Sequence, residues 1–179
     1  MKVWIGLGSN LGDSAGLIAS ALHHLRLEPD MRLVRYSSLY RTVPWGLREQ
    51  PDFCNAVAEF ETGLDPSEIL AVLQRVEKML GRVRFGPRWG PRKIDIDLLL
   101  IGDGTFDLPG LSVPHPRMHQ RAFVLEPLAE LEPDLPVPGR GTVADCLARL
   151  YREVPDPAHR GIEKNGQIEL PDPAGRPVK

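Results

Sequence analysis

Hydrophobic residues recur in this chain with two different periods, and the order in which those periods alternate limits its fold more than anything else. Val3, Ile5 and Leu7 alternate over residues 2–7, as in a half-buried strand. Leu17, Ile18, Ala21, Leu22 and Leu25 then share one face of a helix over 14–27, with Asp13 as its cap. "MRLVRYSSLYRT" (31–42) and "FCNAVAEFE" (53–61) return to strand. "DPSE" (65–68) supplies a capping residue, a proline at the first helical position and a glutamate at the third. Ile69, Leu73, Val76 and Leu80 carry that helix to Gly81, and "KIDIDLLLI" (93–101) forms a last strand before Gly102-Asp103-Gly104. The order β-α-β-β-α-β predicts an α+β, ferredoxin-like sandwich, with helices on one face of a mostly antiparallel sheet.

Two additional helices are expected near 121–131 and 142–151, the latter capped by Thr142. Residues 1–154 read as one catalytic domain and 155–179 as a Pro-rich tail, in which "QIEL" (167–170) is expected to pair with a sheet edge. A chain of 179 residues suits one domain with a sizeable core. Its net charge of -2 gives no global reason for nucleic-acid binding. Cys54 and Cys146 are isolated and read as reduced thiols. No leader and no apolar run long enough to span a bilayer is visible, so a cytoplasmic monomer acting on small molecules, away from membranes and nucleic acid, is expected.

"GLGSNLGD" (6–13) joins a strand to a helix, the usual setting of a phosphate-binding turn. A dinucleotide loop needs GxGxxG and an acid about 20 residues on. Leu11 occupies the third glycine position and no acid ends the following strand, so that reading fails.

The chemistry concentrates in "GRVRFGPRWGPRKIDIDLLL" (81–100). Asp95 and Asp97, two apart on a strand, project to one face, while Ile94, Ile96 and Leu98 fill the other. Adjacent carboxylates repel unless a cation joins them, and Mg²⁺ accepts one or two carboxylates together with phosphate oxygens. Arg82, Arg84, Arg88, Arg92 and Lys93 precede the pair, interleaved with glycine, proline and Trp89. Guanidinium groups suit phosphate, so this cationic loop beside a metal pair points to phosphoryl transfer. Phe53 and Asn55 share a strand face, offering a stacking surface and a paired donor and acceptor for a flat heterocycle; Phe123 is a second stacking candidate. His115 has no metal-ligand spacing to place it.

"RWGPRKIDIDLL" (88–99), together with "GLGSN", "YRTVPWG" (40–46), "QPDFCNAV" (50–57) and "VPHPRMHQRAFVLEPL" (113–128), resembles the 6-hydroxymethyl-7,8-dihydropterin pyrophosphokinase family of folate biosynthesis. The resemblance implies transfer of pyrophosphate from ATP to the pterin hydroxymethyl group with release of AMP. It implies that Asp95 and Asp97 hold two Mg²⁺ ions, that Arg82 and Arg92 contact the phosphates, that Arg84 and Trp89 belong to a loop closing over the substrates, and that Arg88 is a nucleotide-binding residue. Gln74, Glu77, Leu98, Ser112, His115 and Arg121 would line the ATP site. Thr42, Pro44, Trp45, Phe53, Asn55 and Phe123 would form the pterin pocket, with Gly8 in its floor. The chain departs from the family pattern at Phe53, where tyrosine is frequent, at Val43 in place of proline, and at Gly110 and Pro116 beside the nucleotide.

Two other readings compete. A Mg-dependent nucleotidyltransferase also uses a carboxylate pair on a strand, but would attach AMP to the acceptor. An RNA-binding sheet would show surface aromatics in an RNP-like pattern, which these strands lack.

Overall fold

Asp13 opens the first helix as expected, its carboxylate accepting the Gly16 N–H at 3.0 Å. In the computed structural model, which describes residues 1–44, 49–82, 91–153 and 162–171, that helix is α1 (Ser14–Leu27), and it follows strand β1 (Lys2–Ser9). Strands β2 (Met31–Tyr36), β3 (Tyr40–Thr42) and β4 (Phe53–Thr62) come next, then α2 (Pro66–Met79) and β5 (Asp95–Ile101). The predicted capping box forms at Asp65: its carboxylate accepts the Ser67 and Glu68 N–H groups, while Glu68 accepts the Asp65 N–H at 2.9 Å.

The predicted strand 31–42 is two strands, and Ser37 is the reason. Its hydroxyl accepts the Val57 N–H at 3.0 Å, a place where a regular ladder would use a carbonyl. Pairing resumes at Tyr40. Both β2 and β3 lie antiparallel to β4, which pairs with β1, which pairs with β5. The ferredoxin-like sandwich expected from sequence is therefore present.

α1 and α2 cover one face, where Ile18, Leu22 and Leu25 meet Val3, Ile5, Ala58 and Phe60. The other face is covered too, but only in part. α3 (Ala122–Leu131) and α4 (Val143–Glu153) pack on Trp4, Val57, Leu99 and Leu100. α4 carries the expected Thr142 cap, whose hydroxyl accepts the Asp145 N–H at 3.1 Å. Two short hairpins, β6 (Phe106–Leu108) with β7 (Leu111–Val113) and β8 (Pro136–Val137) with β9 (Gly141–Thr142), were not visible in the sequence.

A β-bulge sets where the second face changes character. β1 pairs Ile5 with Leu98 but Trp4 with Leu100, leaving Leu99 as the extra residue. Asp95, Asp97 and Leu99 share a face, yet beyond the bulge it is Leu100 that joins the α3–α4 core and Ile101 that joins the α1–α2 core. The tail also differs from expectation. β10 (Glu163–Lys164), not residues 167–170, pairs with the free edge of β3. Ile168 is instead buried in the α1–α2 core.

Candidate active site

The cleft is the part of the sheet's second face that α3 and α4 leave open. Its floor is β1, where Gly6 stands between Val57 and Asp97 and Gly8 between Asn55 and Asp95. A Cβ on Gly8 would lie 3.0 Å from Asn55 Oδ1, so the backbone itself must form this floor. Counted to its open mouth the cleft holds about 790 Å³, and Thr42, Val43, Phe53, Asn55, Arg92, Asp95, Asp97, Arg121 and Phe123 stand around it.

One half is ionic. Asp95 and Asp97 face the cleft from β5, as the period of two predicts. Arg82 Nη1 lies 2.5 Å from Asp95 Oδ1 and also reaches Glu77; Arg92 reaches Asp95 Oδ2. Glu77, only 2% exposed, accepts the Ile96 N–H at 2.7 Å, so a buried carboxylate on α2 fixes both Arg82 and the start of β5. Periodicity assigned that helix face to apolar residues and gave no sign that an acid lies within it.

Asp97 is less tightly held. Arg121 Nη1 stands 3.6 Å away and His115 Nε2 4.0 Å away, and 39% of its side chain is open to the cleft. Its pKa is pushed up to about 6, first by burial among its neighbours and then by the charge of Asp95; Arg121, Arg82 and Arg92 oppose the shift. His115 is pulled down to about 4 by burial and then by Arg121, so it is neutral near pH 7. Its Nδ1 accepts the Arg117 N–H at 3.2 Å, which puts the ring proton on Nε2, the nitrogen nearer Asp97.

The other half is aromatic and amide-bearing. Phe53 enters from β4 and Phe123 from the first turn of α3, with the Arg121 guanidinium carbon 5.5 Å from the Phe123 ring centroid. Asn55, 5% exposed, donates to Thr42 Oγ1 at 2.9 Å, which orients its amide toward the cleft.

Not every expected residue gathers here. Gln74 is exposed on α2, Leu98 is buried in the α1–α2 core, and Ser112 donates to Asp107 at 3.0 Å within the β6–β7 hairpin. Pro44 is not among the lining residues. Trp45, Arg84, Arg88 and Trp89 lie outside the described residues. Asn10 is the residue that sequence reasoning missed. Buried at 3%, it exchanges backbone and side-chain hydrogen bonds with Arg92 and donates to Gln50 Oε1 and the Pro51 carbonyl. It lies within the quoted "GLGSN", but its partners are 40 or more residues away.

Among the described residues no group of three or more His, Cys, Asp or Glu gathers to hold a metal. Two neighbouring carboxylates without a third ligand are nonetheless the donor set that Mg²⁺ accepts when phosphate oxygens complete its shell. The charge of Asp95 adds to the raised pKa of Asp97, second to burial.

Residues 4–133 match the family described as 7,8-dihydro-6-hydroxymethylpterin-pyrophosphokinase. The chain is 45% identical over 163 residues to the 2-amino-4-hydroxy-6-hydroxymethyldihydropteridine pyrophosphokinase of Methylorubrum extorquens, covering 91% of this chain and 98% of that one. Its identity to the Pseudomonas aeruginosa enzyme of the same name is 46% over 147 residues, covering 82% and 90%. Crystal structures of Plasmodium falciparum HPPK-DHPS share the fold at 15% identity and a TM-score of 0.72 for one and 16% and 0.71 for another. This chain is covered to 95% in both and spans about half the length of those larger chains. The chain thus belongs to the 7,8-dihydro-6-hydroxymethylpterin-pyrophosphokinase family.

Proposed function

We propose that the two halves of the cleft hold the two substrates of a pyrophosphoryl transfer, ATP over the ionic half and 6-hydroxymethyl-7,8-dihydropterin in the aromatic half. The observation that carries this reading is their shared floor: Gly6 and Gly8 bring Asp97 and Asp95 on β5 within one strand of Asn55 on β4. A hydroxyl on a ring held beside Asn55 then faces a phosphate chain held beside the carboxylates. Its oxygen bonds to the β-phosphorus, the bond from that phosphorus to the α-phosphate oxygen breaks, the hydroxyl proton is lost and AMP departs.

Phe53 and Phe123 supply the two flat surfaces for the pterin. Asn55, oriented by Thr42, presents a donor and an acceptor to the ring edge. Gly8 permits the ring to approach the sheet. Arg82, Arg92 and Arg121 stabilise charge that spreads over the phosphates during transfer. His115, neutral and with its proton on Nε2, donates a hydrogen bond without adding charge. Glu77 holds Arg82, while Gln74, Leu98 and Ser112 stand apart from the cleft and take no part in it. Arg84, Arg88 and Trp89 close over both substrates, and Pro44 and Trp45 belong to the pterin side.

Asp95 and Asp97 would hold Mg²⁺, two ions in our reading. When bound, the metal supplies positive charge that draws the phosphate oxygens to the carboxylates. We read residues 1–154 as the catalytic domain, working as a cytoplasmic monomer. Among the described residues no helix is long and apolar enough to cross a membrane.

The test is product analysis with ATP, Mg²⁺ and the hydroxymethyl-dihydropterin. Free AMP with the pterin diphosphate supports the reading; an adenylated pterin with free pyrophosphate overturns it in favour of nucleotidyl transfer.

A further inference from the structure

Residues 162–171 lie beyond the family match at 4–133 and away from the cleft, yet they are firmly built into the body. β10 covers the outer edge of β3, with Glu163 opposite Arg41 and Lys164 opposite Tyr40. The Asn165 N–H donates to the Leu39 carbonyl at 2.7 Å, and the Leu39 N–H to the Gly166 carbonyl at 3.0 Å. Gln167 donates to Ser38 Oγ at 2.9 Å, and Ile168, 5% exposed, is seated in the α1–α2 core.

Ile168 and Pro171 tie the segment to the α1–α2 core, Tyr36 and Arg26, and its other attachments continue into the walls of the aromatic half-cleft. β3 ends in Thr42, the acceptor for Asn55. Arg41 bridges Glu163 at 2.7 Å and Asp52 at 3.7 Å, and Asp52 immediately precedes Phe53. Glu130 on α3 takes Lys164 at 3.0 Å, Tyr40 at 2.8 Å and Ser38 Oγ at 2.9 Å. That junction joins the helix carrying Phe123 to the strand carrying Thr42, with the tail as third member. Among the described residues, none of these contacts involves Arg82, Arg92, Asp95 or Asp97.

We infer that residues 162–171 are a strap that positions the pterin-binding walls: it fixes β3 and, through Glu130, the spacing between α3 and the strands that carry Thr42 (β3) and Phe53 and Asn55 (β4). The strap touches no substrate; it acts through Thr42, Phe53 and Phe123. This rests on assigning the aromatic half-cleft to the pterin.

Two substitutions in the full-length chain test it. Ile168→Asp places a charge in the apolar socket, and Asn165→Pro removes the donor to Leu39 without touching the core. Either should raise KM for the pterin about tenfold, with kcat and the ATP KM held within about twofold. Protection of the Leu39 amide from hydrogen exchange reports whether the strap has been released. Released strap with an unchanged pterin KM overturns the inference, as does an equal rise in both KM values. Should Ile168→Asp fail to fold, Asn165→Pro decides the matter. Asn55→Ala separates the two ideas: if it leaves the pterin KM unchanged, the assignment of the half-cleft fails, whereas a rise there without one in the strap variants defeats only the strap.

Discussion

Asn10 and Arg92 hold each other twice: the Asn10 N–H donates to the Arg92 carbonyl at 3.1 Å, and the Arg92 N–H donates to Asn10 Oδ1 at 2.9 Å. The Arg92 guanidinium meanwhile rests on Asp95. Asn10→Ala strands a buried N–H and frees the base of that arginine. The expected cost is about 1–3 kcal/mol of stability, together with a higher KM for ATP. Denaturant melts and steady-state kinetics measure the two; an unchanged ATP KM would show that Arg92 needs no such anchor.

Asp97 carries a penalty in the metal-free protein. Its folded pKa of about 6 lies above the ordinary 3.8, so the folded state binds its proton more tightly than the unfolded chain does. Stability from this group is therefore present at pH values below the unfolded pKa and lost as pH rises through 6. Asp97→Asn should melt at a higher temperature than wild type at pH 7.5 in chelator, with the difference shrinking toward pH 4. The same variant should lose at least about 100-fold in turnover. A variant that melts lower at neutral pH would contradict the view that burial and the nearby Asp95 charge penalise ionised Asp97.

Gly8→Ala tests the cleft floor. The added carbon meets Asn55 Oδ1 at 3.0 Å, so the amide has to shift by a few tenths of an ångström. KM for the pterin should rise about tenfold while the ATP KM moves little. A uniform loss in both would place Gly8 in general packing instead.

Glu130 offers a second pH measurement, far from the carboxylate pair. Burial alone would raise its pKa, but hydrogen bonds from Tyr40, Lys164 and Ser38 together bring it below the usual value. A lowered folded pKa contributes stability above the unfolded value of 4.5 and loses it as pH falls. Wild type should therefore melt above Glu130→Gln at pH 7, and the gap should close as the solution is acidified below about 4. A gap independent of pH would assign the effect to shape and not to charge.

Features set by near neighbours in the chain were legible from the sequence. The Asp65–Glu68 capping box is local chemistry, and it formed as read. The shared face of Asp95 and Asp97 follows from the strand period alone. Ser37 was not legible as a strand break, because its hydroxyl acts on an N–H 20 residues away. Glu77 occupies a helix position that periodicity assigns to an apolar side chain, and Arg82 and the Ile96 N–H help make an acid tolerable there. Ile168 sits in a stretch without periodicity, and its burial depends on a core built by residues distant in the chain.

The extra residue at Leu99 makes β5 sensitive to length in a way that its run of leucines conceals. Exchanging one leucine for isoleucine or methionine alters volume only slightly and leaves every side chain pointing where it did. Adding a single residue to that run would turn the downstream end of the strand by one register step, sending Ile101 toward α3 and leaving a gap beneath α1, whereas removing one would take out the bulge and keep Leu100 and Ile101 on their present faces. Natural and engineered variants of this enzyme should therefore show many hydrophobic exchanges between Leu98 and Ile101, and should tolerate a single-residue deletion there better than a single-residue insertion.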